Sequence, residues 1–226
     1  MKYRRAARQV FQRFLAPKVP PVLIASMGRS GSTLMYNAVR EAYAELVPPV
    51  LPRRFRLGLV SDNAWDIHNR VFEFGVVYKT HALGNELKAF DKPKVIFLFG
   101  KASDAAISVM SCKKKYGDHW VKLHFEHLRA SGDFDEIYNR DVLRFGDQLD
   151  SWIGLSGVER LVLNYDSIWD HQDIVSGFLG IDVDFPIRRE RSSLDHVSQA
   201  DIERLRMCYE DLDSKIARIP SCKLLR

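Results

Sequence analysis

The sequence predicts an α/β protein with a parallel central sheet flanked by helices. Three observations carry that expectation. Short apolar runs of strand length recur at residues 22–26, 75–78, 95–99 and 161–163. Segments with helical patterning stand between them, which closes most simply into a parallel sheet with helices on both faces. The run at 95–99 is continuously apolar, as a strand covered on both faces should be. A chain of 226 residues, 46% hydrophobic and 28% charged, is long enough for one such domain with a full core.

The chain opens on a different kind of segment. Residues 3–15 read as an amphipathic helix with Ala7, Val10, Phe11, Phe14 and Leu15 on one face. Residues 1–18 carry Lys2, Arg4, Arg5, Arg8, Arg13 and Lys18 and no acid. The net charge is +5, yet without those six of the 34 basic residues the 29 acidic ones would outnumber the rest by one. The expected division is a basic N-terminal helix over 1–18 and one α/β domain over 19–226. Such a helix suits peripheral contact with an anionic membrane surface, and the plainer alternative is a terminal helix packed on the domain. A nucleic-acid binder would carry its basic stripe on the fold itself, so no nucleic-acid partner is expected.

Other function classes fall away on similar grounds. No run of 18 apolar residues is present to span a bilayer. Pro20, Pro21 and the polar chemistry after them argue against a signal peptide. Cys112, Cys208 and Cys222 are odd in number and lack Cys-x-x-Cys spacing, so neither a disulfide framework nor a zinc site is expected. The expected location is cytoplasmic, peripheral at the inner membrane face if residues 1–18 bind lipid.

The first strand leads straight into Met27-Gly28-Arg29-Ser30-Gly31-Ser32-Thr33, and a helical pattern starts at Leu34. Glycines let backbone N–H groups turn inward, and the helix N-terminus adds partial positive charge, so this order builds a phosphate cradle. Arg29 brings a full charge, and Ser30, Ser32 and Thr33 bring donors. The segment is not a Walker A loop, because Ser32 stands where a Lys would follow the second glycine.

Pro48, Pro49 and Pro52 end the first helix and open an irregular segment to about residue 70, with Arg53, Arg54 and Arg56 on a solvated loop. The short strand at 75–78 runs into Lys79-Thr80-His81. Lys79 and His81, two apart on a strand, point to one face. Residues 102–110 read as a helix, and 113–140 as an insertion rich in charge and aromatics, including His119, Trp120, His124, Phe125 and His127. Residues 141–153 read as a helix. The strand at 161–163 ends at Asn164-Tyr165-Asp166, residues 174–179 are helical, and Ser198-x-x-Asp201 caps a helix carrying Ile202, Leu205, Tyr209, Leu212 and Ile216. Ligands of open sheets sit at the carboxyl ends of strands, where the loop at 27–33, Lys79-Thr80-His81, the region after Phe99 and the Tyr165 region should converge.

Four blocks in this order resemble the sulfotransferases that use 3′-phosphoadenosine 5′-phosphosulfate (PAPS). They are residues 22–34, Tyr78-Lys79-Thr80-His81, residues 95–108, and residues 161–166 with Phe178-Leu179-Gly180 after them. The likeness spreads over most of residues 20–220. It implies a P-loop nucleotide-hydrolase-like three-layer architecture and transfer of a sulfuryl group from PAPS to a hydroxyl. By position, Arg29, Ser30, Gly31, Ser32 and Thr33 would hold the 5′-phosphosulfate. Lys79 would stabilise charge on the leaving phosphate's bridging oxygen, His81 would take the acceptor's proton, and Ser108 would bind the 3′-phosphate. Tyr165 falls in the late nucleotide-side block.

The physics agrees with those roles. Charge that develops on a leaving oxygen is stabilised by fixed cations and N–H groups, and a neutral His is suited to removing a hydroxyl proton. No metal is expected. One departure stands out. The position where the family places an Arg for the 3′-phosphate is Gly100, so Lys101, or Arg189 and Arg191 from the late basic cluster, would have to replace it. The insertion at 113–140 should roof the acceptor, whose expected class is a saccharide hydroxyl. Two other readings compete with this one. A P-loop-type kinase or nucleotide-binding protein would need a Lys before Ser32 or Thr33 and an acid at a neighbouring strand end. A degenerate membrane-surface adaptor of the same fold would not need to keep Lys79 and His81.

Overall fold

A computed structural model of the chain describes Val10 and residues 18–88, 93–188 and 196–226. Its centre is a six-stranded sheet made of β1 (Val22–Ser26), β2 (Ser61–Asn63), β3 (Val77–Thr80), β4 (Lys94–Phe99), β5 (Arg160–Asn164) and β6 (Cys222–Leu225). The strand order is β2-β3-β1-β4-β5-β6. The strands run parallel except β6, which pairs antiparallel with β5. Ile24 of β1 lies opposite both Lys79 of β3 and Ile96 of β4, so the carboxyl ends of these three strands are level.

Strand alternation splits the interior into two cores. Leu23, Ala25, Tyr78, Val95, Phe97 and Val162 face one side, and Val22, Ile24, Val77, Ile96, Leu98, Leu161 and Leu163 face the other. The first face is covered by α3 (Ala102–Leu128), α4 (Phe145–Ile153), α6 (Gln199–Cys208) and α7 (Glu210–Ile216). The second is covered by α1 (Ser32–Glu45) and α5 (Gln172–Leu179). The arrangement is an α/β fold with a mostly parallel sheet between helical layers. Both faces of the central strands are dry, which explains their unbroken apolar runs. Each buried Val, Leu or Ile contributes roughly 1.5–3 kcal/mol of transfer free energy.

Several elements depart from the sequence expectation. The segment at 48–70 holds a short helix, α2 (Arg53–Leu59), and the edge strand β2. Ser61-Asp62-Asn63 has no apolar pattern. It becomes a strand because its neighbours share the ladder: Val77 N donates to Val60 O and Ala64 N to Lys79 O, both at 2.8 Å. The helix expected at 102–110 continues to Leu128 as α3, with a break at Gly117 (φ 77°, ψ −177°), a backbone that L side chains rarely adopt. The helix expected from 141 starts at Phe145, and Asp141 instead accepts a hydrogen bond from Gly146 N at 2.8 Å. The pattern at 202–216 is two helices parted at Tyr209. Ser198 does cap α6, accepting from Asp201 N at 3.2 Å.

The start of α3 is fixed from a distance. Asp213 on α7 accepts from Ala102 N at 2.6 Å, from Ser103 N at 3.3 Å and from the Ser103 hydroxyl. A carboxylate at a helix N-terminus satisfies open N–H groups and complements the dipole. Among the described residues no helix is long and apolar enough to cross a membrane. The basic helix expected at 3–15, apart from Val10, and the pair Arg189 and Arg191 lie outside the described residues.

Candidate functional site

The chain leaves β1 toward β2 and β3 on one side, then returns to place β4 on the other. Such a switch point opens a crevice at the strand ends, where ligands of open α/β sheets bind. The loop from β1 to α1 lines it. Gly28, Arg29 and Gly31 all have positive φ, at 89°, 49° and 83°. Two of the three are glycine, and Arg29 holds the strained backbone itself. Ser26 Oγ accepts from Gly28 N at 3.3 Å, and Ser30 Oγ donates to Gly28 O at 2.9 Å, so the turn is braced from within. Gly31 has no side chain with which to cap α1, and the first turn carries no acid. The helix dipole therefore faces the crevice uncompensated, which favours an anion.

Three basic side chains meet this loop. Arg29 is exposed, donates from Nε to Ser108 Oγ at 2.9 Å, and holds its guanidinium 5.7 Å from the Trp120 ring centre. Lys79 donates from Nζ to Thr33 Oγ1 at 2.8 Å. Burial, and then the Arg29 charge, hold its ammonium below the usual lysine range. His81, one residue past β3, is 6% exposed. Its Nδ1 lies 3.2 Å from the Ser26 carbonyl and 3.2 Å from Ser26 Oγ. A carbonyl only accepts, so the proton belongs on Nδ1 and Nε2 carries the lone pair. Gln148 Nε2 donates to the His81 carbonyl, which fixes the backbone at this corner. Burial first, then Lys79, push the imidazole down to about 3, against the Ser26 hydrogen bond; His127 and Arg29 add to the lowering.

Tyr165 packs its ring where a side chain at Gly31 would stand, and its Cβ would lie 3.6 Å from a Cβ built at Gly100. Ser32 is buried at the first position of α1. Lys101 is exposed at the N-terminus of α3. Arg188 stacks its guanidinium 5.3 Å from the Trp169 ring, and Trp169 meets Tyr165 edge to face at 5.8 Å.

The roof differs in part from the sequence reading. Trp120 and His124 stack on each other at 4.7 Å and reach the site, whereas Phe125 packs on Phe134 and His119 is exposed. Trp65 closes the other side, stacked 5.7 Å from His81 and 4.1 Å from His127. Trp65, Gln148 and Ser26 were missed by sequence reasoning. Trp65 follows a polar edge strand and Gln148 sits inside an ordinary amphipathic helix, so neither carries a local signal. Among the described residues no group of three His, Cys, Asp or Glu could hold a metal ion. Compared with known proteins, the chain matches no family model and no curated sequence.

Proposed function

We propose that the protein is a PAPS-dependent sulfotransferase with a P-loop-like fold, acting on a hydroxyl acceptor. The observation that supports this best is the convergence of Arg29, the Thr33–Lys79 pair and His81 at one switch point. It is a cationic cradle for an anionic donor beside a neutral base.

In this reading the loop at 28–33 and Arg29 hold the 5′-phosphosulfate. His81 Nε2 takes the proton of the acceptor hydroxyl as that oxygen attacks sulfur. The bond from sulfur to the bridging phosphate oxygen breaks in line, and Lys79 stabilises the charge left on that oxygen. The products are a sulfate ester and adenosine 3′,5′-bisphosphate. An anionic donor offsets the Lys79 and Arg29 charges that depress His81, so the base strengthens when the donor is in place. At the position of Gly100, the 3′-phosphate is gripped by Arg189 and Arg191, with Lys101 second. Arg188, the residue just before that pair in the sequence, lies over Trp169, which meets Tyr165 edge to face.

The test is a melting assay followed by turnover. Adenosine 3′,5′-bisphosphate at a hundredfold excess over its dissociation constant should stabilise the fold by ~2.7 kcal/mol, and ATP with magnesium much less. His81→Ala should then cut transfer from radiolabelled PAPS by roughly 10²–10⁴-fold with donor affinity unchanged. Equal stabilisation by ATP-magnesium would favour a kinase instead.

A further inference from the structure

His124 is the buried group in this crevice that the reaction leaves unused. It is 8% exposed, and among the described residues its Nε2 is buried without a hydrogen-bond partner. A buried polar atom in that state bears its full desolvation cost unless a water or ligand satisfies it. The ring meets His81 edge to face with centroids 6.3 Å apart. Trp120 backs His124 and Trp65 backs His81, so two imidazoles stand between two indoles.

We propose that His124 anchors a second hydroxyl of the acceptor, adjacent to the one His81 deprotonates, and that the acceptor is therefore a ring polyol of the saccharide class. The inference deepens the sulfotransferase reading and rests on it for the reaction, though not for binding. A neutral imidazole both donates and accepts, which matches a hydroxyl. Burial also drives the His124 pKa down to about 3, which keeps that neutral form. With Trp65 and Trp120 stacked on imidazoles, the wall around the two histidines is aromatic, which suits the carbon skeleton of a ring whose hydroxyls point toward them. Two hydroxyls a hydrogen-bond length apart on one ring span the gap between the imidazoles. A lone hydroxyl would leave Nε2 of His124 unsatisfied.

The experiment titrates tryptophan emission with cis-1,2-cyclohexanediol and with cyclohexanol, using wild type, His124→Phe and His124→Gln. Wild type should bind the diol roughly five- to tenfold more tightly than the alcohol, the worth of one hydrogen bond. His124→Phe should erase the preference, and His124→Gln should restore part of it. Equal binding of the two probes by wild type, no binding of the diol, or an undiminished preference in His124→Phe would overturn the proposal. Should the Phe variant not fold, a full preference in His124→Gln with no loss of diol affinity overturns it as well. Melting with adenosine 3′,5′-bisphosphate runs in parallel. A diol preference without nucleotide stabilisation removes the PAPS assignment and keeps the polyol site. The reverse removes the polyol site alone.

Discussion

Arg29 and Ser108, which the sulfotransferase resemblance would place at opposite ends of one nucleotide, are hydrogen-bonded to each other at 2.9 Å. The contact ties the loop after β1 to the second turn of α3 across the mouth of the crevice. This bond already has a charged donor, so a ligand anion that uses both residues must replace it with one bond from Arg29 and one from Ser108 to its own oxygens.

Arg29→Ala should therefore weaken adenosine 3′,5′-bisphosphate binding by roughly 10- to 100-fold, the range for a lost hydrogen bond to a charged group. The fold should hold, because the side chain is exposed. Calorimetric titration reads the affinity, and an unchanged value would mean that the loop is not the anion cradle.

The pH dependence follows from His81 and His124, both lowered from 6.5 to about 3 by burial first. Between those values the unfolded chain binds protons that the folded one refuses, so stability falls as pH falls from 6.5 toward 3 and is unaffected by these groups above it. At pH 5 each contributes a loss of up to about 2 kcal/mol. Urea unfolding at pH 7.5 and pH 5 should show it, and a His81→Gln/His124→Gln variant should show a flatter profile. A wild-type midpoint that does not move would rule the effect out.

Gly31 has φ 83° and would drive a Cβ into the Tyr165 ring. Gly31→Ala should cost roughly 1–2 kcal/mol for the left-handed backbone alone, and more for the clash. Tyr165→Ala in the same chain should recover the clash but not the backbone strain. A double-mutant cycle in urea separates the two, and strictly additive effects would show that ring and glycine do not touch.

The basic segment at 1–18 should give salt-sensitive binding to anionic vesicles, with ~1 kcal/mol for each Lys or Arg near the surface. A chain starting at Pro20 should lose this binding and keep its activity. Indifference of the whole chain to such vesicles at low salt would leave the segment a purely structural role.

The central strands and the loop at 27–33 were legible because their cause is local. A strand buried on both faces must be apolar throughout, and a turn with positive φ calls for glycine at Gly28 and Gly31. The edge strand at Ser61-Asp62-Asn63 was not legible, since its backbone partners Lys79 and Val77 decide it and its own side chains do not. The same holds for Asp213, which caps α3 from α7, and for Trp65, which reaches His81 only once β2 has paired with β3. Lys79 and His81 were legible as a pair two apart. Their partners Thr33 and Ser26 depend on the register between β1 and β3, which no single segment encodes.

The break at Gly117 separates the stretch of α3 with Ser108, which bonds to Arg29, from the stretch with Trp120, which also faces the Arg29 guanidinium, and His124, which meets His81. A straight helix would force both stretches to shift together whenever either one was altered. A Cβ at Gly117 would meet nothing within 4 Å, so the break itself is free of packing constraint, although Val121 and Leu128 beyond it are buried. In the sulfotransferase reading, the exposed positions of 118–128 can change with the acceptor over evolutionary time, or be exchanged by design, while Ser108 ahead of the break stays in place.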